Sequence, residues 1–175
     1  MKYIPILFNF TLREVPIHFI NLLTGLLPNH LVTNRIRGLL VGFFLGKCGK
    51  RFQIGKGVII NNPGSLVVGD DCYISHYSYV QAKGSITLND NVIIGPMSVI
   101  ASSNHTFDKG KVTNRGRSKP IKIGKGTWCG GHVVITAGVT IGESVLVGAG
   151  AVVTKDISDN TKVAGIPAKS LSRWS

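Results

Sequence analysis

From residue 54 onward, apolar positions recur every six residues rather than every two or every three to four. An apolar residue, often followed by Gly, stands at Ile54, Ile60, Val68, Ile74, Val80, Leu88, Ile94 and Ile100. After an interruption the series resumes at Ile123, Cys129, Ile135, Ile141, Val147 and Val153. Four residues further on comes a second, mostly small residue: Val58, Cys72, Ser78, Val92, Ser98, Thr127, Val133, Val139, Val145 and Ala151. The inner face of a helix needs spacings of three and four, and a half-buried strand needs a spacing of two. A six-residue unit fits a very short strand followed by a turn. Three units close one triangular coil, and stacked coils make a parallel β-helix. The pattern predicts that both marked positions of each unit point inward.

Departures from the period show where to look for chemistry. The steps from Ile60 to Val68 and from Val80 to Leu88 are two residues too long, which predicts small bulges at coil corners. The step from Ile100 to Ile123 is far longer, and it holds Asn104, His105 and Asp108 followed by Lys109, Lys111, Arg115, Arg117, Lys119 and Lys122. Repeat scaffolds carry such insertions as loops on one face, commonly the binding face. A basic loop over residues 102–122 with no period of its own has a task or is disordered.

Residues 1–51 are different material. The apolar runs Tyr3 to Leu12, Val15 to Leu27 and Leu39 to Leu45 are broken by Pro5, Arg13, Glu14, Pro16 and Pro28. None reaches the roughly eighteen apolar residues of a membrane span. The interrupted apolar stretch behind a thin basic start does not fit a cleavable signal peptide. Two or three helices are expected, one of them capped by Thr33 or Asn34 and running to about Leu45. They either plug the open end of the β-helix or lie on a membrane surface, with Arg35, Arg37, Lys47, Lys50 and Arg51 near anionic lipid. Residues 52–158 form the β-helix, and residues 159–175 a C-terminal tail.

At 175 residues the chain is one domain with an accessory segment. Three cysteines do not make a disulfide framework. Cys72 and Cys129 fall on inward positions, where a small buried side chain is wanted, and a reducing cytoplasm is the expected compartment. The net charge of +12 points to anionic partners such as phosphate-bearing small molecules or a membrane surface. Nucleic acid is not expected, because the basic residues do not alternate with aromatics.

The hexads, the tract from Ile123 through Trp128, Gly131 and Ile135 to Gly142, the run Val147 to Asp156 and the ending Val163 to Lys169 together resemble the hexapeptide-repeat acyltransferases. Within that family the resemblance is to galactoside and maltose O-acetyltransferases and to O-acetyltransferases of bacterial surface polysaccharides. It covers about residues 52 to 172. The crossover rule by itself favours a right-handed coil, whereas the resemblance implies a left-handed parallel β-helix, an all-β fold, assembled as a homotrimer. It further implies acetyl-coenzyme A as acyl donor in a groove between subunits, and a protruding loop that brings a histidine to the thioester.

His105 stands at the position the family uses for its base. Acetyl transfer to a hydroxyl needs a group that takes the hydroxyl proton, and imidazole is the side chain suited to this near neutral pH. Asn104 and Asp108 are candidates to orient the ring. Trp128 resembles the family's active-site tryptophan, flanking the histidine across a subunit boundary. The resemblance places coenzyme contacts on Gly131, Ala149, Thr154, Lys169 and Arg173, with a backbone N–H near Gly131 as oxyanion donor. Gly131 stands where some relatives have serine. His76 and Tyr77 are placed toward the acceptor, and His132 outward. A zinc hydratase using His76, His105 and His132 and a catalytically silent scaffold are the competing classes. No metal is expected. The expected activity is O-acetylation of a sugar hydroxyl in a surface polysaccharide or its precursor. Transfer to the amino group of a nucleotide-linked amino sugar, or to a small soluble sugar or xenobiotic, is the alternative. The expected location is cytoplasmic, with peripheral contact to the inner membrane face.

Overall fold

The structure is a computed structural model and describes residues 4–173. Short strands stack into three parallel sheets that form the faces of a triangular prism. Face 1 comprises Lys47–Cys48, Leu66–Val68, Ile86–Leu88, Ile121–Ile123 and Thr140–Ile141. Face 2 comprises Gln53–Ile54, Tyr73–Ile74, Ile93–Ile94, Trp128–Cys129, Leu146–Val147 and Thr161–Ala164, with Lys169–Arg173 added antiparallel at its end. Face 3 comprises Ile59–Asn61, Tyr79–Gln81, Val99–Ala101, Val134–Ile135 and Val152–Val153. The chain visits faces 1, 2 and 3 in turn, so each residue sits one coil, about 4.8 Å, from its counterpart.

The six-residue pattern is borne out at its inward positions. All fourteen residues of the first series and all ten of the second are buried. The few hydroxyls among them are satisfied between coils: Ser98 Oγ donates to Gly130 O at 3.3 Å, and Thr127 Oγ1 donates to Gly142 O at 2.8 Å. A buried hydroxyl without such an acceptor would be costly. Cys72 and Cys129 are buried free thiols, and loss of water pushes them up to about 11 and about 12, which leaves them protonated and inert at neutral pH.

The parallel pairing starts before residue 52, because Lys47–Cys48 already pairs with Val67–Val68. It also passes residue 158: Lys162 and Val163 extend face 2 beside Leu146 and Val147. The two short interruptions are a 3-10 turn over Pro63–Ser65 and a tight turn between Ala82 and Ser85. The long one is an antiparallel ribbon, Ser103–Asp108 paired with Lys111–Ser118. All three leave the prism at the same corner, between faces 3 and 1. Counting the units in threes places them there, a signal present in the sequence.

The N-terminal segment is helical. Helix α1 (Ile4–Asn9) passes through a wider π turn over Phe10–Glu14 into α2 (Val15–Thr24), and α3 spans Leu31–Gly42. The cap of α3 is His30, not Thr33 or Asn34. His30 Nδ1 accepts from Val32 N, and Thr33 Oγ1 accepts from His30 N in return. This reciprocal pair satisfies two N–H groups that the first turn leaves open. Ile17, Val41 and Leu45 join the core of the β-helix. Arg37 is buried in α3, and its guanidinium donates to Thr24 O, Thr24 Oγ1 and Asn34 Oδ1. It thereby holds the open C-terminal carbonyl of α2 against α3. Among the described residues no helix is long and apolar enough to cross a membrane.

Candidate active site

His105 projects from the first strand of the ribbon and is exposed. Its Nδ1 lies 3.1 Å from Thr113 O on the opposite strand. A carbonyl oxygen only accepts, so Nδ1 carries the proton, and in the neutral ring Nε2 holds the free lone pair. Asn104 and Asp108, expected to orient the ring, are exposed and pair across the ribbon with Arg117 and Lys111. The orienting group is the backbone of Thr113, because a register shift after His105 brings that carbonyl within reach. A backbone atom leaves no residue signature in a sequence. Around His105 a cleft of about 410 Å³ is lined by Phe107, Arg117, Lys119 and Ala137. Ala137 belongs to the turn between faces 3 and 1, so His105 stays beside that corner.

The other predicted residues stand elsewhere. At the corner between faces 2 and 3 successive turns lie one above another: Tyr77 N donates to Lys56 O, Met97 N to His76 O, His132 N to Pro96 O and Gly150 N to Gly131 O. This edge therefore carries His76, Tyr77, Gly131 and Ala149 in one line, and Gly165 continues it by accepting from Val152 N. The N–H groups of Gly131 and Ala149 have no acceptor among the described residues, although the neighbouring amides of Gly130 and Gly150 do. They are ready donors for an anionic oxygen. Lys169 follows, exposed, at the start of the last strand, and the side chain of Arg173 falls outside the described residues. Thr154 is separated from this group, since it opens the next turn between faces 3 and 1, on the edge of His105.

Trp128 is 53% exposed on face 2 and borders a cleft with Gly126, Ser144 and Asn160 near the corner between faces 1 and 2. One chain thus places His105, the Gly131 line and Trp128 at three separate positions around the prism. His76 is half-buried, with Nδ1 3.4 Å from Tyr73 Oη, and His132 is exposed. Among the described residues no three His, Cys, Asp or Glu side chains gather as a metal set.

Two positioning features escaped the pattern reading. Ser98 Oγ bonds Gly130 O and accepts from Val133 N, so it braces the Gly130–Gly131 turn from inside. Gly130 itself has no room for a side chain, because a Cβ would lie 2.7 Å from Ala149 N. Gly131 does have room: a Cβ there meets Pro96 O at 3.4 Å and the proline ring at 3.5 Å. Gly131→Ser is expected to shift stability by less than about 0.5 kcal/mol, as at an uncrowded surface position. A thermal melt checks it, and a Tm drop of many degrees would show a hidden constraint.

No family model matches the sequence. The chain is 31% identical over 135 residues to the galactoside O-acetyltransferase of Escherichia coli K12, an alignment covering 76% of this chain and 66% of that enzyme. In structure it is similar to a hexapeptide-repeat-containing acetyltransferase of Vibrio cholerae in complex with acetyl-coenzyme A. The TM-score is 0.80 at 26% identity, over 94% of this chain and 88% of the other. A maltose O-acetyltransferase of Clostridium difficile 630 matches with TM-score 0.80 and 26% identity, over 95% and 88%. The chain belongs to the hexapeptide-repeat acetyltransferases. In the sequence alignment it spans just under two thirds of the galactoside enzyme's length.

Proposed function

We propose that this protein is an acetyl-coenzyme A-dependent O-acetyltransferase acting on a sugar hydroxyl. The observation that carries the reading is the His105–Thr113 hydrogen bond on a ribbon raised from the β-helix. It leaves Nε2 as a base open to solvent and to substrate. In the proposed reaction Nε2 takes the proton of the acceptor hydroxyl as its oxygen attacks the thioester carbonyl. In this reading the amides of Gly131 and Ala149 donate to the negative oxygen or to the carbonyl oxygens of the coenzyme's amide groups. The C–S bond breaks, and the imidazolium returns its proton to the departing thiolate. No covalent enzyme intermediate is needed.

We infer a homotrimer, the assembly that the family resemblance implies, and the split of the proposed site between two edges supports a shared site. His105 and Thr154 stand on one edge of the prism, while Gly131, Ala149 and Lys169 stand on another. A site using all of them is complete only where the edge of one chain meets a different edge of its neighbour. Two edges meeting in this way is a heterologous contact, which builds a ring where its rotation closes. The acceptor is proposed to be a glycan of a bacterial surface polysaccharide or its precursor. A nitrogen acceptor would use the same base and the same donor groove.

Saturating acetyl-coenzyme A tests the reading at its first step. A ligand at a hundred times its dissociation constant stabilises the native state by about 2.7 kcal/mol. For a chain of this size that is a rise in Tm of roughly 5–11 °C. An unchanged melt in the folded protein would remove the proposed donor.

A further inference from the structure

The N-terminal helices carry more exposed apolar surface than capping a β-helix requires. Helix α3 buries Asn34, Arg37, Gly38 and Val41 on its inner side. Its outer side presents Val32, Ile36, Leu39 and Phe43, which are 56%, 43%, 66% and 76% exposed. The spacing of four, three and four makes these one continuous stripe. A helix that turns polar residues inward and an apolar stripe outward is not arranged for water. Contiguous exposed apolar patches of this kind mark interaction surfaces.

The stripe runs into a cleft at the N-terminal end of the prism. That cleft, of about 660 Å³, lies between the end of α3 and the first coil of the prism. Leu39, Phe43 and Leu45 supply its apolar wall, and Gly38 and Gly42 border it. Its rim is cationic: Arg35, Lys47, Lys50 and Arg51 all border it and all are exposed. Two carboxylates stand among these four cations. Asp71 pairs with Arg51, and Asp70 accepts from the backbone N–H of Lys50. Net positive charge remains around an apolar floor.

We propose that this surface docks on an anionic phospholipid bilayer, with the stripe of α3 in the interfacial layer and lipid phosphates at the rim of the cleft. The arrangement satisfies both requirements of interfacial binding: apolar side chains to enter the acyl boundary, and cations to hold anionic headgroups. A symmetrically paired second copy of the chain is the poorer occupant. Symmetric pairing of two such faces would bring each cationic rim toward its own equivalent, and like charges facing each other oppose association. The inference does not rest on the acyl-transfer reading, because it uses none of the residues around His105 or Gly131.

The test is sedimentation of the full-length protein with vesicles of mixed phosphatidylglycerol and phosphatidylcholine, and with vesicles of phosphatidylcholine alone. The wild-type chain is expected to pellet with the anionic vesicles and to be released by high salt. Arg35→Gln combined with Lys47→Gln is expected to weaken the partition roughly 25-fold, about fivefold for each cation lost. Phe43→Gln should weaken it about tenfold through lost apolar insertion. All three side chains are exposed, so the variants are expected to melt like the wild type, which a thermal scan verifies. Failure of the wild type to pellet with anionic vesicles would overturn the proposal, as would equal binding to both vesicle types. A fall in oligomeric mass on Phe43→Gln would assign the face to a second copy instead. Should acetyl-coenzyme A fail to raise the melting temperature while vesicle binding persists, only the catalytic reading is lost.

Discussion

Replacing His105 by alanine is expected to lower the rate of acetyl transfer by about 10²- to 10⁴-fold, the range supplied by a positioned general base. Folding should not change. The ring is exposed, and its hydrogen bond goes to a backbone carbonyl of a solvent-facing ribbon. The melting temperature of His105→Ala should therefore match the wild type, and acetyl-coenzyme A should still raise it. His105→Asn separates the two roles of the ring. An amide can still donate a hydrogen bond toward Thr113, but it supplies no base, so the rate should stay near that of the alanine variant. A variant that retained the wild-type rate would take the base away from His105 and return the ribbon to a binding role.

Gly38→Ala is expected to be strongly damaging although it adds only one methyl group. Gly38 lies inside α3 where the helix crosses the first coil. A Cβ at this position would come 2.1 Å from Phe52 O and 2.6 Å from its carbonyl carbon. The opposing atoms are backbone, and the adjoining residue is tied into the sheet by Gln53 N donating to Cys72 O at 2.9 Å. Helix propensity acts in the opposite direction, since alanine in a helix interior is worth about 1 kcal/mol over glycine. Overpacking against a rigid neighbour costs up to about 3 kcal/mol, and occasionally more. The clash wins, and a net loss of about 2 kcal/mol should lower Tm by roughly 4–8 °C. Gly42→Ala is the informative contrast. Its Cβ would meet the side-chain Sγ of Cys48 at 2.9 Å, an atom that can move. A smaller drop is expected there, and equal drops at both positions would show that α3 is held by something other than close backbone approach.

Some of this could be read directly along the chain. Burial is a local property of a repeating unit, so the six-residue period identified the inward residues of every coil from Ile54 to Val153. The bulges after Ile60 and Val80 and the large insertion after Ile100 were equally plain. The helix cap was misplaced because histidine is a rare capping residue. His30 serves only because Thr33 completes the exchange of hydrogen bonds. The ribbon over residues 103–118 carries no alternation because both of its faces meet solvent, so hydrophobic patterning had nothing to report.

The sequence alone determined the stacked-coil architecture, its inward residues, the basic insertion and the candidate base within it. Tertiary structure alone decided what surrounds that base. The tautomer of His105 depends on a carbonyl eight residues away, brought close by a register shift between strands. The outward stripe of α3 became visible only once the inner side of that helix was seen packed on the first coil. Periodicity reports which side of an element faces the core, because burying apolar surface is a local, repeated demand. It does not report which distant atoms meet, because that is settled by the closure of the whole chain.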